Sequence, residues 1–222
     1  MIKENLLDIL GNIPPTVTLV AVSKTKPINL LQEAYDAGQR HFGENRCDEL
    51  AEKQKALPAD IHWHMIGHLQ SKKVKSIAAF VHLIHSVDSF GLLQEINKQA
   101  LKHQRVIDCL LQFHIAVEET KYGFSEEEAV LLLNSTEFKS LANIRIVGVM
   151  GMATFTSDQR QVADEFCNLR KIFERIKDAH FNCNSNFKEI SMGMSGDYQA
   201  AIQQGSTMIR VGSSIFGERV RL

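Results

Sequence analysis

The sequence predicts a single (β/α)8 barrel of the TIM type with one extra helix at its start. Three observations carry this. Eight short, β-branched apolar runs are separated by segments with helical periodicity. No Pro-, Gly- or Ser-rich stretch divides the chain, so residues 1–222 read as one domain, of a length that suits a compact barrel. No Gly-rich fingerprint follows an early strand, as an open doubly wound sheet built around a dinucleotide would want.

The elements follow in order. A helix over 2–11 precedes the first strand, 17–23, a buried run that stops at Lys24-Thr25-Lys26-Pro27. Pro27 suits the first turn of a helix over 27–37. Strand 41–43 leads into helix 45–56, and strand 62–66 into helix 70–79. Strand 82–87 is followed by helix 89–103, which Ser89 can cap. Strand 106–115 is too apolar for a one-sided sheet and is expected to be buried on both faces. Ser125 and Glu128 form a capping box that opens helix 125–135. After strand 144–150, helix 158–180 places Val162, Phe166, Leu169, Phe173 and Ile176 on one face. Strand 188–191, helix 196–204 and strand 207–211 complete the set.

Bulk composition narrows the function. The chain is 44% hydrophobic and 23% charged with a net charge of −1, so no global field favours nucleic acid or an acidic membrane. Lys72-Lys73-Val74-Lys75 reads as a solvated helix face. No apolar run has the length of a membrane span, and Met1-Ile2-Lys3-Glu4-Asn5 lacks a signal-peptide core. Cys47, Cys109, Cys167 and Cys183 are scattered without a C-x-x-C, which fits free thiols and a cytoplasmic location.

A barrel of this type works at the C-terminal ends of its strands. Lys24 stands at the first. Partial desolvation there lowers a lysine's pKa, and a neutral amine attacks a carbonyl; the bland alternative is a lysine that snorkels to water. Asn45, after Phe42-Gly43-Glu44, either caps the next helix or reaches into the mouth. His62, His64 and His68 share an H-x-H-x3-H spacing that is not specific for zinc and has no carboxylate nearby in sequence, so no metal is expected. Ser191-Met192-Gly193-Met194-Ser195-Gly196-Asp197 runs into a helix N-terminus, a ready phosphate site, and Gly212 and Ser213 add N–H donors after the neighbouring strand. Arg210 alternates toward the barrel interior. A helix cap for Ser195 and a salt bridge for Arg210 are the ordinary alternatives. An amine, a phosphate cradle and a guanidinium together describe pyridoxal 5′-phosphate (PLP). The guanidinium would face the pyridine nitrogen as a donor, leaving that nitrogen unprotonated and the ring a weak electron sink.

Val20-Ala21-Val22-Ser23-Lys24-Thr25-Lys26-Pro27, Phe42-Gly43-Glu44-Asn45, Trp63-His64-Met65-Ile66-Gly67-His68-Leu69-Gln70-Ser71, Ser191 to Asp197 and Arg210-Val211-Gly212-Ser213-Ser214-Ile215-Phe216-Gly217-Glu218-Arg219 resemble the pyridoxal phosphate homeostasis proteins, in order and over nearly the whole chain. The resemblance implies the barrel of the alanine racemase N-terminal domain, with PLP held as an internal aldimine on Lys24. It places Asn45 near the ring, Arg210 at its nitrogen, and Ser195, Gly212 and Ser213 on the phosphate. It also implies a role in vitamin B6 homeostasis, with no firm reaction attached. Lys72 and His114 stand where the family commonly has Asn; neither touches the lysine or phosphate motifs.

Alanine racemases need a second base, a tyrosine supplied by a C-terminal β-domain of a partner subunit. Here Arg219-Val220-Arg221-Leu222 directly follows the last barrel element, and no such domain is expected. Of Tyr35, Tyr122 and Tyr198, only Tyr122, in Glu119-Thr120-Lys121-Tyr122, reads as near the mouth. The expectation is therefore a monomeric carrier of PLP with no catalytic residue, serving PLP-dependent apo-enzymes. A weak one-base PLP enzyme acting on amino acids is the alternative. A phosphosugar aldolase or isomerase, in which Lys24 attacks substrate directly, is the third reading.

Overall fold

Parallel pairing of the first strand with both the second and the last closes the sheet on itself. In a computed structural model describing residues 1–117 and 122–218, β1 (Thr18–Val22) pairs with β2 (His41–Glu44) and with β8 (Met208–Val211), from Thr18↔Met208 to Ala21↔Val211. Between them β3 (His62–Met65), β4 (Leu83–Val87), β5 (Ile107–Phe113), β6 (Ile144–Gly151) and β7 (Glu189–Met194) follow in chain order, giving a closed barrel of eight strands. The expected Glu119-Thr120-Lys121 segment and the Arg219–Leu222 end lie outside the described residues.

The helices are α1 (Ile2–Gly11), α2 (Ile28–Asp36), α3 (Cys47–Ala56), α4 (Phe90–Lys102), α5 (Glu126–Asn134), α6 (Thr136–Lys139), α7 (Gln159–His180), α8 (Tyr198–Gln203) and α9 (Ser213–Phe216). Ser89 accepts from the Leu92 amide, and the Ser125–Glu128 capping box is formed from both sides. On α7 the expected apolar face is buried. Strand β5 is buried on both faces except at Asp108, as its composition required.

The differences are local. Residues 70–79 form only a short 3-10 helix, Ser71–Ser76, because Lys72, Lys73 and Lys75 leave Val74 as its one buried residue. Strand β7 runs three residues further than expected, to Met194, across Gly193. The short α6 and α9 carry no periodic signal of useful length.

The main core lies between sheet and helices, where Leu6, Leu31, Phe42, Trp63, Phe166 and Phe187 are buried. Inside the barrel a smaller apolar group, Val20, Leu83, Leu110, Val147, Met150 and Met208, fills only part of the space. A hydrogen-bonded polar column fills the rest. Arg210 Nη1 donates to Ser191 Oγ at 2.6 Å, and Ser191 Oγ lies 2.9 Å from His85 Nδ1. His85 Nε2 is 2.8 Å from His64 Nδ1, and His64 Nε2 is 2.9 Å from His41 Nδ1. Every buried ring nitrogen in the column thus has a partner, which is the condition for tolerating polar groups in a core.

Burial keeps these rings neutral. It pushes His64 and His85 well below the ordinary histidine value of 6.5, helped by His85 for His64 and by Arg210 for His85. In the unfolded chain the rings bind protons near 6.5 and in the fold they do not. Stability is therefore fully present above 6.5 and is lost as pH falls below it. Each fully buried ring costs about 1.4 kcal/mol per pH unit in that window, so the two together cost about 3 kcal/mol per unit. Urea unfolding is expected to show a nearly constant midpoint from pH 8 to 7 and a steep fall from pH 6 to 5. A flat midpoint over that lower window would contradict a neutral column.

Candidate cofactor-binding site

A cavity of about 620 Å³ opens at the C-terminal ends of the strands, within the usual size of a small-molecule site. Lys24, Asn45, Ser195, Arg210, Gly212 and Ser213 all line it. Six positions separated by up to 189 residues in sequence thus meet at one mouth.

Lys24 is half-buried, two residues past the end of β1, in a turn closed by the Lys26 amide donating to Ser23 O at 3.0 Å. The next residue, Thr25, has φ +63°, a left-handed conformation rare for a β-branched side chain. Charged groups hold this backbone on both sides. Lys53 Nζ, on α3, donates to Ser23 O at 2.8 Å and pairs with Glu44 Oε1 and Glu49 Oε1, each at 2.7 Å. Ser23 Oγ also donates to Glu44 Oε1, at 2.6 Å, and the Thr25 amide donates to Glu49 Oε1 at 2.6 Å. Lys53 and Glu44 are buried. Burial raises the Glu44 pKa against the opposing pull of Lys53, consistent with its second oxygen, Oε2, having no partner. Lys26 also lines the cavity, but its Nζ donates to the carbonyls of Phe216, Gly217 and Glu218 at 2.9–3.0 Å. Lys72 is exposed and off the cavity.

The loops after β7 and β8 are joined. The Gly212 amide donates to Ser195 Oγ at 3.2 Å. Gly212 must lack a side chain, since a Cβ there would lie 2.9 Å from Val22 O at the end of β1. Ser195 does not cap α8; Asp197 holds that position, and its carboxylate accepts from the Met194 amide. Asn45 does not cap α3 either, because Arg46 takes that place. Asn45 is instead packed under Gly67, where a Cβ would fall 2.7 Å from Asn45 Cα. That contact explains the Gly in Ile66-Gly67-His68.

Arg210 is 4% exposed. Its described hydrogen bonds go to neutral oxygens, Ser191 Oγ and Gly151 O, so a salt bridge is not what holds it. Burial lowers its pKa to about 10, which leaves it charged at neutral pH.

One wall was not foreseen. Met152 to Thr156, between β6 and α7, line the cavity. Glu165 braces this loop: its carboxylate accepts from the Thr154 amide at 2.6 Å and from Thr154 Oγ1 at 2.7 Å. The available signal was an acid, Glu165, lying beside Phe166 on the buried face of α7. No tyrosine lines the cavity, although Tyr122 stands at the same end of the barrel. Tyr35 donates to Asp60, Tyr122 stacks on His68 at 4.1 Å between ring centroids, and Tyr198 starts α8 without lining the cavity.

The Lys53 cluster makes a direct test. Lys53→Met leaves Glu44 buried without its cation and is expected to destabilise the fold by about 3–5 kcal/mol. Lys53→Met combined with Glu44→Gln is expected to recover part of that loss in urea denaturation. A loss below about 1 kcal/mol for the single variant would mean that water reaches Glu44.

Comparison with known proteins gives the family and the fold. Residues 1–220 match the family described as alanine racemase, N-terminal domain. A pyridoxal phosphate homeostasis protein of Aquifex aeolicus is 37% identical over 202 residues, covering 90% of this chain and 86% of the relative. That of Synechocystis sp. is 37% identical over 217 residues and covers 96% of each. The structure of PipY from Synechococcus elongatus, solved without and with PLP bound, is 34% identical, covers 98% of this chain and all of PipY, and superposes with TM-scores of 0.90 and 0.87. The chain belongs to the alanine racemase N-terminal domain family and, within it, to the pyridoxal phosphate homeostasis proteins.

Proposed function

We propose that this protein binds PLP through Lys24 and acts in intracellular vitamin B6 homeostasis as a holder of the cofactor, not as a turnover enzyme. The observation that carries the reading is that Lys24, Arg210 and the joined Ser195–Gly212 loops share one cavity. PLP supplies an aldehyde, an aromatic ring with a nitrogen acceptor, and a phosphate. The donor set fits each part. Lys24 Nζ provides the amine. Ser195 Oγ and the amides of Gly212 and Ser213 receive the phosphate, at loops that commonly do so in such barrels. Arg210, charged and hydrogen-bonded to neutral oxygens, donates to the ring nitrogen, and Asn45 lies alongside the ring.

The PLP-bound PipY structure supports the cofactor, and the names of the relatives support the homeostatic role. Two features favour holding over turnover. Arg210 cannot accept a proton, so it keeps the ring nitrogen a hydrogen-bond acceptor and limits electron withdrawal. None of the three tyrosines lines the cavity, so among the described residues no tyrosine stands opposite Lys24 as a second base. Among the described residues no helix is long and apolar enough to cross a membrane. The reading further places the protein in the cytoplasm as a monomer, with PLP-dependent apo-enzymes as recipients.

Lys24→Ala is expected to abolish the visible absorbance of the loaded protein and the cofactor that borohydride fixes. Lys26 is engaged by three carbonyls and Lys72 is off the cavity, so neither is expected to substitute. An equal yield of reducible adduct in the mutant would move the site to another lysine.

Turnover is tested separately with the loaded protein and L-alanine in deuterated water. Slow exchange with retention is expected, with no D-alanine formed on the usual enzyme scale of about 1–1,000 per second. D-alanine at such rates, lost in Lys24→Ala, would make this a racemase.

A further inference from the structure

The polar column that begins at Arg210 ends at the opposite mouth of the barrel in three histidines. His41 starts β2, His62 starts β3, and His82 lies just before β4. The register sets His41 beside His62, and the His82 amide donates to Trp63 O at 2.8 Å, so three adjacent strands present imidazoles at one level. One ring nitrogen from each lies within 4.8 Å of the others. His62 and His82 are exposed and stacked, with centroids 4.4 Å apart, whereas His41 is half-buried beneath them.

We propose that this N-terminal mouth binds one divalent transition-metal ion of the zinc type through His41, His62 and His82. His41 Nε2 and His62 Nδ1 are 3.3 Å apart. That is the edge of a tetrahedron whose nitrogens lie about 2.0–2.1 Å from zinc, an edge of about 3.3–3.4 Å. The ion would replace the contact between these two nitrogens with little movement of either ring. His82, exposed and stacked against His62, has the freedom to turn its nitrogen inward. His41 offers only Nε2, because its Nδ1 faces His64 Nε2 at 2.9 Å. With a metal on Nε2 the ring's proton sits on Nδ1 and donates to His64, the outer-shell hydrogen bond that orients most metal-bound histidines. His64 is in turn fixed by His85 at 2.8 Å. The most deeply set ligand is therefore positioned from within the barrel, and the two outer ones close from solvent.

Three imidazoles without a thiolate or carboxylate select zinc, nickel or copper over magnesium and calcium, and leave a fourth position for water. Nearby charge does not oppose entry strongly. Arg105 acts on His82 but is opposed by Asp108, which is itself paired with Arg145 at 2.7 Å, and the Arg105 guanidinium is turned to the carbonyls of Ala78 and Val81. The spacing H-x-H-x3-H of His62, His64 and His68 is not the site: His64 is spent on its neighbours, and His68 pairs with Asp88 at the other end of the barrel. The inference does not rest on the cofactor reading, since the two mouths lie at opposite ends of the strands.

Calorimetric titration of tag-free protein with Zn²⁺, and the visible spectrum of the Co²⁺ form, test it. One equivalent is expected to bind, and Ni²⁺ or Cu²⁺ is expected to quench the single tryptophan, Trp63, which sits between His62 and His64. The double variant His62→Gln/His82→Gln changes two exposed side chains and is expected to weaken binding at least a hundredfold while far-UV circular dichroism stays unchanged. Zn²⁺ is expected to raise the melting temperature of the parent and not of that variant. His103→Gln and Cys183→Ser alter an exposed imidazole and an exposed thiol elsewhere and are expected to bind as the parent does. Absence of a one-equivalent site, Mg²⁺ binding equal to Zn²⁺, or unchanged affinity in the double variant would each overturn the proposal.

Discussion

The Lys53 ammonium, buried against Glu44, Glu49 and the Ser23 carbonyl, is the interaction on which the working end of this barrel depends. Each charge in the cluster is expensive to bury alone, and the pairing offsets that cost only with close geometry. The geometry here is close, with contacts of 2.6–2.8 Å throughout. What the cluster secures is the backbone around Lys24. Its cation holds the carbonyl before that residue and one of its carboxylates holds the amide after it. A left-handed threonine persists only where surroundings over-determine it, and Glu49 on the Thr25 amide does so. The backbone on either side of Lys24 is thus held by an ion cluster on α3 and β2.

The barrel interior carries a second constraint. Such barrels commonly fill with layers of branched aliphatic residues. Here the aliphatic set is small, and a line of ring nitrogens and one hydroxyl occupies the axis. A buried guanidinium in a dry core would be costly. In this fold Arg210 gives its protons to Ser191 Oγ and Gly151 O, and the column beneath satisfies Ser191. The histidines therefore have a structural role that depends on neutrality, because a charged ring next to Arg210 would add repulsion to desolvation.

Much of this was legible in the sequence, and the reasons differ by element. The alternation of apolar runs and helical periods gave the barrel because each strand is buried on at least one face. The cofactor-side residues were legible because barrel chemistry gathers at strand ends, so Lys24, Ser195 and Arg210 could be placed in one mouth before any contact was known. The histidine column was not legible as a column. Its members come from β2, β3, β4 and β7, and no local spacing records which rings meet across strands. Lys53 was equally hidden, since a lysine four residues after Glu49 on a helix reads as a solvated pair. The Met152–Thr156 wall has no motif, and only its brace, Glu165 on an apolar helix face, departs from pattern.

Arg210 is where these constraints meet. From below, the column fixes its Nη1 through Ser191; from the side, Gly151 O fixes Nη2. Both hydrogen-bonded ties go to uncharged acceptors, Asp197 adds a favourable charge at the cavity, and a pKa of about 10 keeps the guanidinium charged at neutrality. A guanidinium held this way cannot swing aside or take up a proton during a reaction. In the reading proposed above it can only donate to the cofactor's ring nitrogen, and a nitrogen so engaged draws electrons weakly. The same hydrogen bonds that make the guanidinium tolerable in the core thus favour retention of the cofactor over carbanion chemistry. In that reading, holding the cofactor depends on the packing of the barrel interior as much as on the residues that line the cavity.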